Sequence, residues 1–232
     1  MNGRLSIVAT PIGNLEDITL RAIRVLKEAD YILCEDTRVT GNLLKHYEIA
    51  TKTRRYDAHA SEKSHEGILR DLSEGKRIAL VSDAGTPGVS DPGVMLVARA
   101  RAQNGNLPAG RQVRIDAIPG ASAVTAAFSI AGISGNSFVF LGFVPLKKGR
   151  QTFFKSLADY EIPVMFYEAP HRIMKTLESL KENLPVNRKV VVARELTKMF
   201  EEVVVGTPQD VHQYFVDHKD HVRGEFVVIA DV

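Results

Sequence analysis

An apolar run at residues 78–81 stops at Ser82 and Asp83. It opens into Ala84-Gly85-Thr86-Pro87-Gly88-Val89-Ser90-Asp91-Pro92-Gly93. Glycines and prolines at that density shape a backbone that something small can approach closely, although a tight turn draws on the same residue types. In an α/β sheet, the carboxyl ends of the strands are where ligands bind. Polar clusters follow other short apolar runs as well: Glu35-Asp36-Thr37-Arg38, Tyr167-Glu168-Ala169-Pro170-His171-Arg172 and Arg194-Glu195-Leu196-Thr197-Lys198. Each alone reads equally well as a helix cap with a charged first turn. Their recurrence at equivalent positions points to a shared cleft. Lys147-Lys148-Gly149-Arg150 places three cations in a loop at another strand end, which suits contact with phosphates or a phosphorylated ligand; a solvated loop is the alternative.

The elements that must position these residues alternate in a readable order. Strands are predicted over 5–9, 31–34, 78–81 and 113–118, with helices over 67–74 and 94–102 and a helical pattern carrying Ala22, Ile23 and Leu26 on one face. The first strand, helix and second strand form a βαβ unit, whose crossover implies parallel pairing. From residue 138 the pattern begins again. Strands are predicted over 138–141, 164–167, 190–193 and 226–229, helices over 151–157 and 173–184, and the alanine-rich helix 122–130 begins this second half or bridges to it. The fold class is therefore α/β, with two lobes at 1–119 and 120–232 and a cleft between them; a single larger sheet is the alternative. The polar stretch 104–112 is longer than an ordinary helix-to-strand link and reads as an exposed loop.

Composition sets the outer limits. The 232 residues are 44% hydrophobic and 25% charged, which fits one large core or two modest ones. A single cysteine, Cys34, precludes an internal disulfide framework, and no long apolar run or leader is present, so a cytoplasmic location without membrane association is expected. The net charge of +2 is unevenly spread: residues 145–198 hold eleven Lys/Arg against six Asp/Glu. That segment could form a local basic face or only solvated helix surfaces. There is no Gly-x-Gly for a dinucleotide turn, no Gly-Lys-Ser/Thr phosphate loop and no Gly-x-Ser-x-Gly nucleophile elbow. His59 and His65 form only a loose pair, and one cysteine cannot build a zinc cluster, so no metal site is expected.

Taken in order, several segments resemble the tetrapyrrole methylase superfamily, in its branch that methylates small-subunit ribosomal RNA. They are Val8-Ala9-Thr10-Pro11-Ile12-Gly13-Asn14-Leu15-Glu16-Asp17-Ile18-Thr19, Cys34-Glu35-Asp36-Thr37-Arg38, residues 79–93, Pro119-Gly120-Ala121-Ser122-Ala123, and residues 142–150, 167–172 and 194–206. The resemblance covers almost the whole chain. It implies S-adenosyl-L-methionine as cofactor, held folded between two α/β lobes, and 2′-O-methylation of a cytidine in the decoding region of 16S ribosomal RNA within the small ribosomal subunit. It also implies a homodimer. Residue by residue, it places Pro11, Gly13 and Asn14 along one wall of the cofactor site and Asp83, Ala84, Gly85, Thr86, Val89 and Ser90 on its floor. Ser122 and Ala123 close another side, and Tyr167, Ala193 and the neighbourhood of Gly224 come from the second lobe. The chain departs from the family pattern at His59-Ala60-Ser61, at Ala121 and in the insertion 106–112, and many longer relatives continue past the position of Val232 with a segment expected to grip RNA.

Methyl transfer to a ribose oxygen needs in-line alignment and a route for the hydroxyl proton, which a carboxylate or a neighbouring cation can assist. Glu35, Asp36, Arg38, Glu168 and Arg194 are the candidate catalytic groups, and Lys147, Lys148 and Arg150 the candidate RNA-phosphate contacts. Two alternatives stand beside this reading. One is a methyltransferase acting on a corrin or porphyrin precursor; the other is a non-catalytic ribosome-binding relative.

Overall fold

Strands buried on both faces read as apolar in both registers, and this is how the central strands of the N-terminal half are built. The computed structural model describes residues 3–91, 93–105 and 112–231, so most of the loop expected at 104–112 lies outside the described residues. Contacts divide the chain into Met1–Ser122 and Ala123–Val232.

In the first unit the order is β1 (Arg4–Val8), α1 (Leu20–Glu28), β2 (Tyr31–Cys34), α2 (Thr37–His46), β3 (Thr53–Arg55), α3 (Glu62–Ser73), β4 (Arg77–Leu80), α4 (Gly93–Asn104) and β5 (Arg114–Ile118). Among the described residues, these strands form one parallel sheet in the order β3-β2-β4-β1-β5. Alternate strand residues face opposite layers. Val8, Ile32, Cys34 and Ala79 pack with Ala22, Leu26 and Leu44 of α1 and α2. Leu5, Leu33, Ile78 and Leu80 pack with Ile68, Leu72, Leu96 and Ala100 of α3 and α4. Cys34 is buried and free, and burial pushes its thiol pKa up.

The second unit holds α5 (Ala123–Ile130), β6 (Val139–Phe143), α6 (Arg150–Ser156), β7 (Val164–Glu168), α7 (Ile173–Asn183), β8 (Val190–Arg194), β9 (Glu202–Gly206), α8 (Pro208–Asp217) and β10 (Phe226–Ala230). Its described strands form a separate sheet in the order β6-β7-β10-β8-β9, so the alternative of a single larger sheet falls. Only β6 and β7 pair in parallel; β10 runs antiparallel to β7 and β8, and β9 antiparallel to β8. One face carries the core of Phe166, Val192, Phe226 and Val228 under Phe154, Leu177, Leu180 and Phe215.

The structure departs from the sequence-based elements at definite places. The helix expected over 67–74 starts five residues earlier, because the Ser61 side chain accepts from the Ser64 amide and caps the helix ahead of Gly67. Among the α-helices and strands described, four lie outside the predicted set: α2, β3, β9 and α8.

Candidate active site

Because β1, β2, β4 and β5 are parallel, the loops that follow them emerge at one edge of the first sheet. Hydrogen bonds stitch those loops together. Thr10 and Gly85 exchange backbone bonds of 2.9 and 3.1 Å, and the Thr10 hydroxyl donates to the Ser82 carbonyl at 3.2 Å. The Thr86 hydroxyl donates to the Ala121 carbonyl at 3.0 Å, tying the β4 loop to the β5 loop. The Asp36 amide donates to Asp83 Oδ1 at 3.1 Å, which brings in the β2 loop.

The β4 loop itself is closed by Asp91. Its carboxylate accepts from the amides of Gly88 (2.7 and 2.8 Å) and Gly93 (2.8 Å), fixing the loop to the start of α4. Gly85 has φ +79°, and an added Cβ would meet Ile12 Cγ2 at 3.3 Å, so the position takes glycine for both conformation and space. Ser90 holds φ +66° without being glycine, a sparsely populated conformation that concentrates at functional sites. Asp83, Ala84 and Ser90 are exposed, Thr86 and Val89 half-buried.

Of the other expected cofactor residues in this unit, Pro11 is buried, Gly13 exposed, and Asn14 caps a short 3-10 turn by accepting from the Glu16 amide at 3.1 Å. Ser122 is half-buried at the end of the β5 loop. The fastening residues Thr10, Ser82, Asp91 and Ala121 are not among the expected site residues. An aspartate two residues before a helix start is the signal that could have marked Asp91.

Three acidic or basic candidates lie on the β2 loop. Glu35 is half-buried, and burial first, then the Asp83 carboxylate, push its pKa up from the usual carboxylate range. Asp36 is held far below that range by the Arg38 guanidinium, 2.6 Å away, while also capping α2. Arg38 is exposed and answers Asp36 alone among the described residues. A carboxylate with a raised pKa is the better proton acceptor near neutrality, so Glu35 is the stronger base of the two.

In the second unit, Tyr167 on β7 and Ala193 on β8 both pair with Val227, one on each side, and share a face of the sheet. Burial pushes the Tyr167 hydroxyl up to about 12, with a backbone hydrogen bond to Val124 opposing it. Ala123 is the half-buried first residue of α5. Gly224 has φ +82° and lies against Glu195, where an added Cβ would come within 2.1 Å of Oε1.

Glu168, Arg150 and Arg194, expected as catalytic or phosphate-binding groups, are each held in an internal ion pair. The buried Glu168 carboxylate accepts from Thr176 Oγ1 (2.5 Å) and the Ala169 amide (2.8 Å), and pairs with Arg172 (2.6 Å) and Arg150 (3.5 Å). Arg150 is turned inward, donating also to Thr176 and lying over the Phe154 ring, so it does not project with the exposed Lys147 and Lys148. Arg194 is buried against Glu202 at 2.6 Å. Glu202 in turn accepts from the Tyr214 hydroxyl and faces His221 Nδ1 at 3.1 Å. All three side chains are committed to internal ion pairs, and we read them as positioning residues.

A family model described as Tetrapyrrole (Corrin/Porphyrin) Methylases matches residues 4–212. This chain belongs to the tetrapyrrole methylase family. It is 43% identical over 230 residues to the ribosomal RNA small subunit methyltransferase I of Halalkalibacterium halodurans, covering 99% of this chain and 76% of that protein. It is 40% identical to the protein of the same name from Thermotoga maritima, covering 98% of this chain and 97% of that one. Among solved structures, it superposes on uroporphyrin-III C-methyltransferase from Thermus thermophilus with TM-score 0.65 at 17% identity, covering 99% of this chain and 94% of that one. A cobalt precorrin-4 methyltransferase matches with TM-score 0.68 at 18% identity, covering 98% and 94%. These two share the fold. Family membership makes this chain a methyltransferase, and among its described residues no helix is long and apolar enough to cross a membrane.

Proposed function

We propose that this protein uses S-adenosyl-L-methionine to methylate the ribose 2′-oxygen of a cytidine in the decoding region of 16S ribosomal RNA, acting as a cytoplasmic homodimer on the small ribosomal subunit. The observation that carries this reading is the near-full-length identity to curated relatives named ribosomal RNA small subunit methyltransferase I. The geometry supports it. Four loops meet at the carboxyl edge of a parallel sheet, fastened to one another and carrying small residues such as Ala84 and Gly85 beside the exposed Asp83 and Ser90, which suits a small ligand. When bound, S-adenosyl-L-methionine supplies an activated methyl group.

The protein's own part is alignment and proton handling. The β4 loop, held by Thr10, Thr86 and Asp91, offers a preset surface, so little ordering remains to be done on binding. Glu35, with its raised pKa, takes the proton from the ribose 2′-hydroxyl. Lys147 and Lys148 are exposed with no ion pair among the described residues and hold phosphates. Glu168 fixes Arg150 at the start of α6, and Arg172 donates to the Val144 carbonyl at 3.0 Å, so the loop bearing the two lysines is anchored at both ends.

The test is incubation of small ribosomal subunits, taken from cells lacking the matching activity, with methyl-labelled S-adenosyl-L-methionine. Label in the RNA is expected. Label transferred only to a corrin or porphyrin precursor would replace the substrate assignment, and loss of both cofactor binding and transfer would leave a non-catalytic binding protein.

A further inference from the structure

The topology of the second sheet places several loops in one row. Phe143 ends β6 opposite Tyr167, Glu168 ends β7 opposite Phe226 at the start of β10, and Arg194 ends β8 opposite both Phe226 and Glu202 at the start of β9. The β6–α6 loop, the turn entering β10 and the β8–β9 hairpin therefore share one edge. From β6 to β9 this edge spans four strand spacings, about 19 Å. A few nucleotides of single-stranded RNA cover that length.

At one end stand the exposed Lys147 and Lys148; near the middle, just before β10, stands the exposed Arg223. None of the three has an ion pair among the described residues. At the far end the hairpin tip presents Met199, 91% exposed, and Phe200, 66% exposed. A single exposed apolar side chain is ordinary, but two adjacent large ones on a locked tip mark a contact surface.

The tip is locked. Glu195 and Thr197 hold φ +50° and +66°, and the Glu201 carboxylate accepts from the Thr197 amide at 2.5 Å. Lys198 Nζ bridges Glu195 (2.8 Å) and Glu225 (3.0 Å), and the Glu195 amide donates to the Glu225 carbonyl at 3.1 Å. Left-handed conformations at the non-glycine residues Glu195 and Thr197, with a glycine at 224 that admits Glu195, are of the kind that clusters at functional sites.

We propose that this edge is a track for single-stranded RNA, with Lys147, Lys148 and Arg223 on the phosphates and Phe200, beside Met199, as the platform on which an unpaired base stacks. The proposal rests on the RNA-methylating reading above. Cations alone would attract any acidic surface; a rigid, solvent-facing aromatic on the same edge is the feature that selects unstacked bases, since every base has a π face and single-stranded recognition uses it.

The test uses the full chain and a single-stranded fragment of small-subunit ribosomal RNA, with affinity measured across a salt series. Phe200→Ala is expected to weaken binding about ten-fold, within the range for one stacked base, and to leave the salt slope unchanged. Phe200→Trp is expected to restore affinity. Lys147→Ala with Lys148→Ala is expected to flatten the slope by about 1.4, two phosphate contacts on a single strand. Val186→Ala, exposed in the turn before β8 at the opposite edge, serves as the neutral control. If wild type methylates the RNA while Phe200→Ala binds as tightly as wild type, the track is wrong and the function stands. If Phe200→Ala instead splits a dimer in sedimentation with RNA affinity intact, the tip belongs to a second copy of the chain and the track is again wrong. If wild type neither binds nor methylates RNA, the functional reading falls first.

Discussion

Replacing Glu168 separates the positioning role assigned here from a catalytic one. Its carboxylate is fully buried and serves two guanidinium groups whose side chains are only 18% and 13% exposed, together with the Thr176 hydroxyl and the Ala169 amide. Removing one partner of a buried ion pair leaves uncompensated charge and costs about 3–5 kcal/mol. Here two arginines lose their shared anion, so Glu168→Ala belongs at the upper end of that range. Glu168→Gln keeps one acceptor oxygen, enough for Thr176 or Ala169 but not both, and belongs at the lower end. For a chain of this size, the range corresponds to a fall in Tm of roughly 6–20 °C. Thermal unfolding followed by circular dichroism measures the loss, and methyl transfer is then assayed well below the variant's own transition. The expected result is a large loss of stability with transfer by the folded fraction reduced only modestly, through a loosened lysine loop. A Glu168→Gln protein that melts with wild type and yet transfers methyl orders of magnitude more slowly would overturn the positioning role, because the carboxylate would then be acting on the substrate.

Other outcomes follow from the same contacts. Glu35 has its pKa raised in the folded state, so between its ordinary value and the raised one the folded protein binds more protons than the unfolded chain, and stability falls as pH rises through that window. Glu35→Gln is expected to remove this dependence and to be more stable than wild type above the window, while losing transfer; denaturant midpoints across a pH series check the first, and an unchanged pH dependence would contradict it. Gly224→Ala adds a Cβ at φ +82° into the space of Glu195, and about 1–3 kcal/mol of destabilisation is expected by chemical denaturation. The double change Gly224→Ala with Glu195→Ala relieves the clash but not the backbone strain, so it should recover only part of that loss. Glu202 is the opposite case to Glu35: burial pushes its pKa up, but the Tyr214 hydroxyl and Arg194 outweigh it and hold the group low. The stability Glu202 contributes is present at neutral pH and lost as pH falls through its folded value, so Glu202→Gln should flatten the acid limb of the stability profile.

The strands at 31–34, 78–81, 190–193 and 226–229 were legible because residues buried on both faces leave an uninterrupted apolar run. β3 was not, since three residues reading Thr-Arg-Arg at a sheet edge carry no apolar signal. α8 was open to detection: Thr207 and Asp210 form a capping box with Pro208 at the first helical position between them, a local signal independent of tertiary context. The site was legible at the level of loops. Parallel topology carries the motifs after β1, β2, β4 and β5 to one edge, and the motifs themselves mark strand ends. What spacing does not contain is the direction of a long side chain. Lys147, Lys148 and Arg150 look alike as a basic run, and only the packing of α7 against α6 reveals that Arg150 is drawn in by Glu168 and Thr176. The same holds for Arg194, whose partner Glu202 lies on a strand absent from the predicted set.

The proposed acceptor atom is the ribose 2′-oxygen of a cytidine in ribosomal RNA, and the position of the methyl group itself tests it directly. Small subunits methylated by the protein with labelled S-adenosyl-L-methionine are digested to nucleosides, and in parallel the RNA is hydrolysed in alkali, which cleaves wherever a free 2′-hydroxyl remains. All label is expected in 2′-O-methylcytidine and in one alkali-resistant dinucleotide from the decoding region. Label on a base, or label that alkali releases as ordinary mononucleotides, would contradict that assignment.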